Sequence, residues 1–245
     1  MTNKAEKILP YNSTESKGVQ VERMFDSIAE NYDTLNRTMS MGIDRSWRKK
    51  GILALKSISP QNILDIATGT GDLAIQAYYL LKPENILAID LSEGMMDIGR
   101  EKVSKEGLSS HIIFEKQDCM NLSIADNSFD AAMVAFGVRN FENLDKGLKE
   151  ILRVLKPGGK LMILELSTPS HFPMKQGYWF YSSLFIPVVG RIVSKDNTAY
   201  SYLPKSIEAF PQGEEMTKIL QRNGFRNTHC KTYTFGTCSM YSGEK

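Results

Sequence analysis

The stretch Asp65-Ile-Ala-Thr-Gly-Thr-Gly-Asp72 sets two glycines among carboxylates. Within it, Gly69-Thr70-Gly71-Asp72-Leu73-Ala74 fits the pattern G-x-G-x-x-G/A. Glycines permit a tight turn and let a ligand approach the backbone closely. The pattern carries meaning only directly after a strand and before a helix, and the flanking residues supply that setting. Asp90 follows about 20 positions on, where a carboxylate accepts hydrogen bonds from ribose hydroxyls.

Two ligands suit such a loop, and charge separates them. A dinucleotide puts its pyrophosphate on the helix N-terminus. S-adenosylmethionine has no phosphate and carries an α-ammonium and a sulfonium. Asp65, Asp72 and Asp118 surround the loop, and no Lys or Arg lies between Ile63 and Leu81. Carboxylates repel a pyrophosphate and favour a cation. The expected cofactor is therefore S-adenosylmethionine, gripped at Gly69, Gly71 and Asp90. A NAD(P)-binding oxidoreductase is the competing reading. The plainer view, that the glycines only make a turn, is weakened by Asp65, Asp90 and Asp118 all falling at strand ends, where ligands bind in such sheets. Asp118-Cys119 would meet adenine: Asp118 accepts from the exocyclic amine, and the Cys119 amide donates to a ring nitrogen.

The elements that must hold these residues are legible in the pattern. Short apolar runs at 62–67, 85–90, 111–115, 129–135 and 160–165 predict five strands, and 225–233 and 237–241 predict two more. Helical stretches fall between them over 72–81, 92–106, 144–155 and 214–223, with Ser92 as a cap. Strands alternating with helices predict an α/β fold with a doubly wound, mostly parallel seven-stranded sheet. Residues 1–18 read as a flexible arm and 19–245 as a single domain. Within it, 19–57 form a helical cover and 169–211 an aromatic-rich insertion before the last strands.

Composition bounds the rest. The 245 residues carry 30 Lys and Arg against 28 Asp and Glu, a net charge of +2 that gives no footprint for nucleic acid. Three scattered cysteines, with no CxxC pair, argue against a disulfide framework and a metal site. The N-terminus lacks the apolar core of a secretion signal. The apolar segment from Tyr178 to Val193 is shorter than the roughly 20 residues of a spanning helix and is broken by Pro187 and Gly190. A cytoplasmic protein is expected.

Four segments resemble one family. Tyr32-Asp-Thr-Leu-Asn-Arg-Thr-Met-Ser-Met-Gly-Ile-Asp-Arg-Ser-Trp47-Arg48 and Arg153-Val-Leu-Lys-Pro-Gly-Gly-Lys-Leu-Met-Ile-Leu-Glu165 resemble the two signatures of the ubiquinone/menaquinone biosynthesis C-methyltransferases. Phe136-Gly-Val-Arg139-Asn140 and Tyr202-Leu-Pro-Lys-Ser-Ile-Glu-Ala-Phe-Pro211 are also similar. Leu155-Lys-Pro-Gly-Gly159 is common to many methyltransferases, whereas the first signature and Phe-Gly-Val-Arg-Asn are much narrower.

The resemblance implies the class I, Rossmann-like methyltransferase fold and methylation of a ring carbon on a prenylated quinol. Thr70, Asp90 and Asp118-Cys119 match the family's cofactor-contacting positions. Ala135 departs from the serine of many relatives, so a hydroxyl contact is lost there. The acceptor expected is a 2-polyprenyl-1,4-naphthoquinol, with the benzoquinol precursor of ubiquinone as the alternative. A methyltransferase acting on oxygen or nitrogen, and a non-catalytic cofactor-binding partner, fit the narrow motifs less well.

A ring carbon becomes nucleophilic when its neighbouring hydroxyl ionises. Arg139, with Asn140, could hold that oxyanion or order a water. It is a poor base, since its pKa exceeds about 12. Asp72 could instead orient the water. Tyr32, with Asp33, is expected to fold over the cofactor. Tyr178-Trp-Phe-Tyr181, Leu184-Phe-Ile186 and Val188-Val189 suit a greasy channel for the prenyl tail. Arg45, Trp47, Arg48, Lys49 and Lys50 suit peripheral contact with an anionic membrane. A homodimer is a further open expectation.

Overall fold

Strands whose alternate residues are both apolar must be covered on both faces. Ile63, Met133 and Met162 point to one side of the sheet, and Leu64, Val134 and Ile163 to the other; all six are fully buried. A computed structural model describes residues 3–180 and 198–245. The strands are β1 (Asn62–Ile66), β2 (Asn85–Asp90), β3 (Ile112–Lys116), β4 (Phe129–Ala135), β5 (Leu155–Leu166), β6 (Arg226–Tyr233) and β7 (Cys238–Glu244). They form one sheet in the order β3-β2-β1-β4-β5-β7-β6. The first five are parallel, and β7 runs antiparallel to both β5 and β6.

The helices are α1 (Lys17–Ile28), α2 (Tyr32–Ser40), α3 (Asp44–Ala54), α4 (Asp72–Leu81), α5 (Glu93–Lys105), α6 (Leu144–Val154), α7 (Met174–Phe180), α8 (Thr198–Ala209) and α9 (Glu214–Arg222). One face of the sheet packs on α6 and α9 through Leu148, Ile151, Met216 and Leu220. The other packs on α3, α4 and α5 through Trp47, Ile52, Ala74, Ala77 and Val103. A third cluster joins Met24, Ile28 and Leu35 of the cover to Ala199 and Tyr202 of α8. Cover and insertion thus close on each other above the sheet's carboxyl edge.

The direction of winding reverses at β1 and β4, and that opens a crevice at their carboxyl ends. Ser92 caps α5 by accepting from Met95 N at 3.2 Å, as its position in the sequence predicts. Strand β5 begins earlier than expected. Leu155 pairs with Phe129, and the chain through Pro157-Gly158 bulges before Lys160 meets Ala131. Leu155 is fully buried, so its side chain draws the strand end into the core.

The N-terminal segment also departs from expectation. Ala5 and Pro10 of residues 3–16 are buried against the domain, whereas Asn12 and Thr14 to Ser16 are exposed. Ala5 is buried among Leu144 and its neighbours. Glu6 accepts from Leu144 N at 2.9 Å, and buried Lys17 donates to Ala5 O at 2.7 Å. The turn-rich composition hid these contacts because they are made with residues far along the chain. The apolar run expected to form a channel falls largely within 181–197, outside the described residues. Among the described residues, no helix is long and apolar enough to cross a membrane.

Candidate active site

The loop between β1 and α4 is shaped by its backbone. Gly71 has φ +76°, and a Cβ there would lie 2.8 Å from the Phe114 ring, so only glycine suits the position. Ala67 is also left-handed, at φ +52°, and so is Phe136 beyond β4, at φ +60°. Such strain in residues with a Cβ gathers where function demands a particular backbone. The two turns touch: a Cβ on Gly137 would come within 2.5 Å of the Ala67 Cβ.

Asp65 sits at the base of the loop, fully buried. Thr68 Oγ1 donates to its Oδ2 at 2.6 Å, while its Oδ1 has no partner. Burial pushes its pKa up to about 7, against the pull of the Thr68 hydrogen bond. Asp90 accepts from Gly69 N at 2.8 Å and from Ser92 N at 3.0 Å. Burial raises its pKa as well, and those amides oppose the rise.

Three cavities meet at these turns. One of about 80 Å³ is bordered by Gly69, Asp90, Asp118, Cys119, Tyr32 and Asn140. Ala135, on which the sequence places no contact, borders it too. A polar one of about 30 Å³ is bordered by Asp65, Thr70, Asp72, Asn36 and Arg48. The third, of about 360 Å³, is largely apolar, bordered by Met24, Phe25, Ile28, Leu35, Trp47 and Leu203, with Arg139 at its wall. Tyr32 and Phe136 border all three. The expected site residues are therefore divided among adjoining chambers rather than gathered in one, and Gly71 borders none of the three.

Several expectations change in this setting. Asp72 has two cationic partners that the sequence did not show. Its carboxylate is held by Lys102 and by Arg48, the latter at 3.1 Å, and these cations outweigh burial and keep its pKa below the ordinary value. The absence of Lys and Arg from the local sequence thus misjudged the field, because both cations come from distant helices. Thr70 Oγ1 donates to Asp33 Oδ1 at 2.6 Å, tying α2 to the loop. Trp47 and Arg48 cannot rest on a membrane: both are buried, and Trp47 Nε1 donates to Thr234 Oγ1 at 2.8 Å. Arg45, Lys49 and Lys50 remain exposed.

Arg139 lies in a short 3-10 turn, Val138–Asn140, and is buried. Its Nη1 donates to Glu165 Oε1 at 2.6 Å. Burial works against its charge, yet the Glu165 carboxylate keeps its pKa above the ordinary value. Lys17 Nζ donates to the Arg139 carbonyl at 3.1 Å. Tyr202 Oη donates to Asn140 Oδ1 at 3.0 Å, so α8 holds that amide. Sequence reasoning assigned no role to Glu165, Tyr202, Lys17 or Lys102. Glu165 closes the second signature and Tyr202 opens the last similar segment, so both lay in view. Nothing local marked Lys17 or Lys102.

S-adenosylmethionine fits these residues. An unpartnered buried carboxylate oxygen on Asp65 suits a cation, and Asp90 and Asp118 border a chamber of nucleoside character.

The model of the ubiE/COQ5 methyltransferase family matches residues 13–245. The chain is 58% identical over 240 residues to a demethylmenaquinone methyltransferase of Bacteroides fragilis, covering 98% of each chain. It is 48% identical over 241 residues to the protein of that name from Porphyromonas gingivalis, again covering 98% of each. It is 41% identical to a ubiquinone/menaquinone biosynthesis C-methyltransferase of Geobacter sulfurreducens, covering 99% of this chain and 94% of that one. Among solved structures, the [4+2]-cyclase SpnF superposes with a TM-score of 0.68 at 17% identity, covering 93% of this chain and 96% of the other. A putative S-adenosylmethionine-dependent methyltransferase of Methanococcus maripaludis gives 0.61 at 20%, covering 94% and 95%. At such identities these structures speak for the fold alone.

Proposed function

The chain belongs to the ubiE/COQ5 methyltransferase family, and from that premise we propose that it methylates a ring carbon of a 2-polyprenyl-1,4-naphthoquinol. It is an S-adenosylmethionine-dependent methyltransferase acting in menaquinone biosynthesis, as its relatives at 58% and 48% identity are named. The observation that carries the ring-carbon reading is the meeting of chambers at Tyr32 and Phe136: a small chamber bordered by Asp90 and Asp118 opens beside a large apolar one with a buried arginine at its wall.

When bound, S-adenosylmethionine supplies a methyl group on a sulfonium whose leaving group is a neutral thioether. The chain has to hold, orient and shield. Gly69, Asp90, Asp118 and Cys119 hold the nucleoside, Gly71 shapes the turn against Phe114, and Thr70 fixes the loop through Asp33. With an ordered water taking the hydroxyl proton and, after transfer, the proton of the methylated carbon, Arg139 meets the quinol oxygen and stabilises it as a phenolate, which raises the nucleophilicity of the adjacent carbon. Its charge is permanent, so it serves as an electrostatic partner rather than a base. Asn140, held by Tyr202, fixes the angle of the ring. Tyr32 and Phe136 separate both ligands from water and align them; alignment alone can supply roughly 7–11 kcal/mol.

The prenyl tail gives a reason for peripheral contact with a membrane. Each methylene left uncovered costs about 0.8 kcal/mol, and exposed Arg45, Lys49 and Lys50 offer positive charge to an anionic surface. The test of the activity is transfer from methyl-labelled donor to demethylmenaquinol and to the benzoquinol precursor, side by side. Label in the naphthoquinol ring is expected. Label in neither ring refutes the acceptor class, and label only in the benzoquinol moves the chain to the ubiquinone branch.

A further inference from the structure

Among the described residues, four buried side-chain polar atoms have no hydrogen-bond partner, and native folds leave few such atoms. Two of them, Arg48 Nε and Asp65 Oδ1, belong to residues that border the same small polar cavity. Their demands are opposite. Arg48 offers an unmet donor on a cation, and Asp65 an unmet acceptor. A ligand that completes both must present an anionic acceptor and a cationic donor close together. An α-amino acid does so with its carboxylate and its ammonium. We propose that Arg48 recognises the α-carboxylate of the cofactor's amino-acid end, opposite Asp65 at the ammonium. This rests on the S-adenosylmethionine reading and adds to it a residue from the helical cover.

Charge and geometry single out Arg48. Its side chain is nine-tenths buried, at 10% exposure, and its Nη2 already pairs with Asp44 and Asp72. A guanidinium has five donors in a rigid fork, so Nε stays available when one end is engaged. The nearby Lys102 has no such reserve. Its ammonium has three protons, and Asp33, Thr70 and Asp72 accept all three. Arg139 also carries an unpartnered Nε, but it borders the apolar cavity and not this one. Among the described residues, Arg48 is the one cation on the wall of the polar cavity, against Asp33, Asp65 and Asp72. Such a wall suits a ligand with two positive charges and one negative. Arg48 also borders the apolar cavity.

Calorimetric titration of the full chain with S-adenosylhomocysteine and with its decarboxylated analogue tests this without turnover. The unmodified chain should bind the carboxylate-bearing ligand about ten- to hundred-fold more tightly, the range for a hydrogen bond to a charged group. Arg48→Gln should bind the two nearly equally, and Arg48→Lys should keep part of the preference. No preference in the unmodified chain, or an undiminished preference in Arg48→Gln, overturns the assignment. Should Arg48→Gln fail to fold, an undiminished preference in Arg48→Lys does the same, since lysine cannot present the fork. If the unmodified chain binds neither ligand, the cofactor reading itself falls.

Discussion

Arg139 and Glu165 form a buried pair, with side chains 7% and 1% exposed. Removing one partner strands the other charge, so truncation would confuse folding with chemistry. Arg139→Lys keeps the charge and loses the fork. It should lower kcat by about ten- to a thousand-fold while the cofactor Kd stays within about two-fold, read by initial rates and titration calorimetry; an equal rise in Kd would make the residue structural. Tyr202→Phe removes only the hydroxyl that holds Asn140. It should lower kcat about five-fold, the worth of roughly 1 kcal/mol, with quinol KM unchanged. Asp65 carries a pH signature. Its folded pKa lies near 7, above the ordinary carboxylate range. The folded state therefore binds the extra proton, and stability falls as pH rises from about 4 through about 7. A cation in the cavity reverses that preference. Cofactor affinity should rise from pH 6 to 8 and then level, and the rise should vanish in Asp65→Asn.

At the level of elements, the N-terminal segment is a strap. Lys17 Nζ joins the Ala5 and Arg139 carbonyls, and burial lowers its pKa to about 8. Deleting residues 1–10 removes the Ala5 carbonyl and the Glu6 contact to α6. The cost should be about 1–3 kcal/mol from a buried donor left unmet, seen in a urea melt, with kcat falling further than cofactor affinity. This strap was not legible in the sequence, because a turn-rich segment gives no periodicity and its contacts to Arg139 and Leu144 lie more than a hundred positions away. The strands and helices were legible, because short continuous apolar runs such as Asn62–Ile66 and capped helices such as Glu93–Lys105 signal themselves locally. The glycine loop was legible for the same reason. The pairing of Asp72 with Lys102 and Arg48 was not, since adjacency in space leaves no trace in spacing.

The whole molecule places its chemistry where the winding of the sheet reverses and roofs it with cover and insertion. That roof explains why the acceptor could be read only from resemblance. The loop and its carboxylates describe the donor alone, while the apolar chamber is assembled from α1, α2, α3 and α8. One contact across the crevice binds the history of the chain to its shape. Ala67 and Gly137, seventy positions apart, occupy space that admits only one Cβ. Gly137→Ala should destabilise by about 1–3 kcal/mol through overpacking. Adding Ala67→Gly should restore most of that loss, short of the small crowding by Val134 Cγ1 at 3.3 Å. A thermodynamic cycle over the two single variants and the double one measures the coupling, and additive losses would deny it. A measured coupling would make the pair epistatic: an alanine at 67 would require glycine at 137, so the order in which the two substitutions accumulate would not be free.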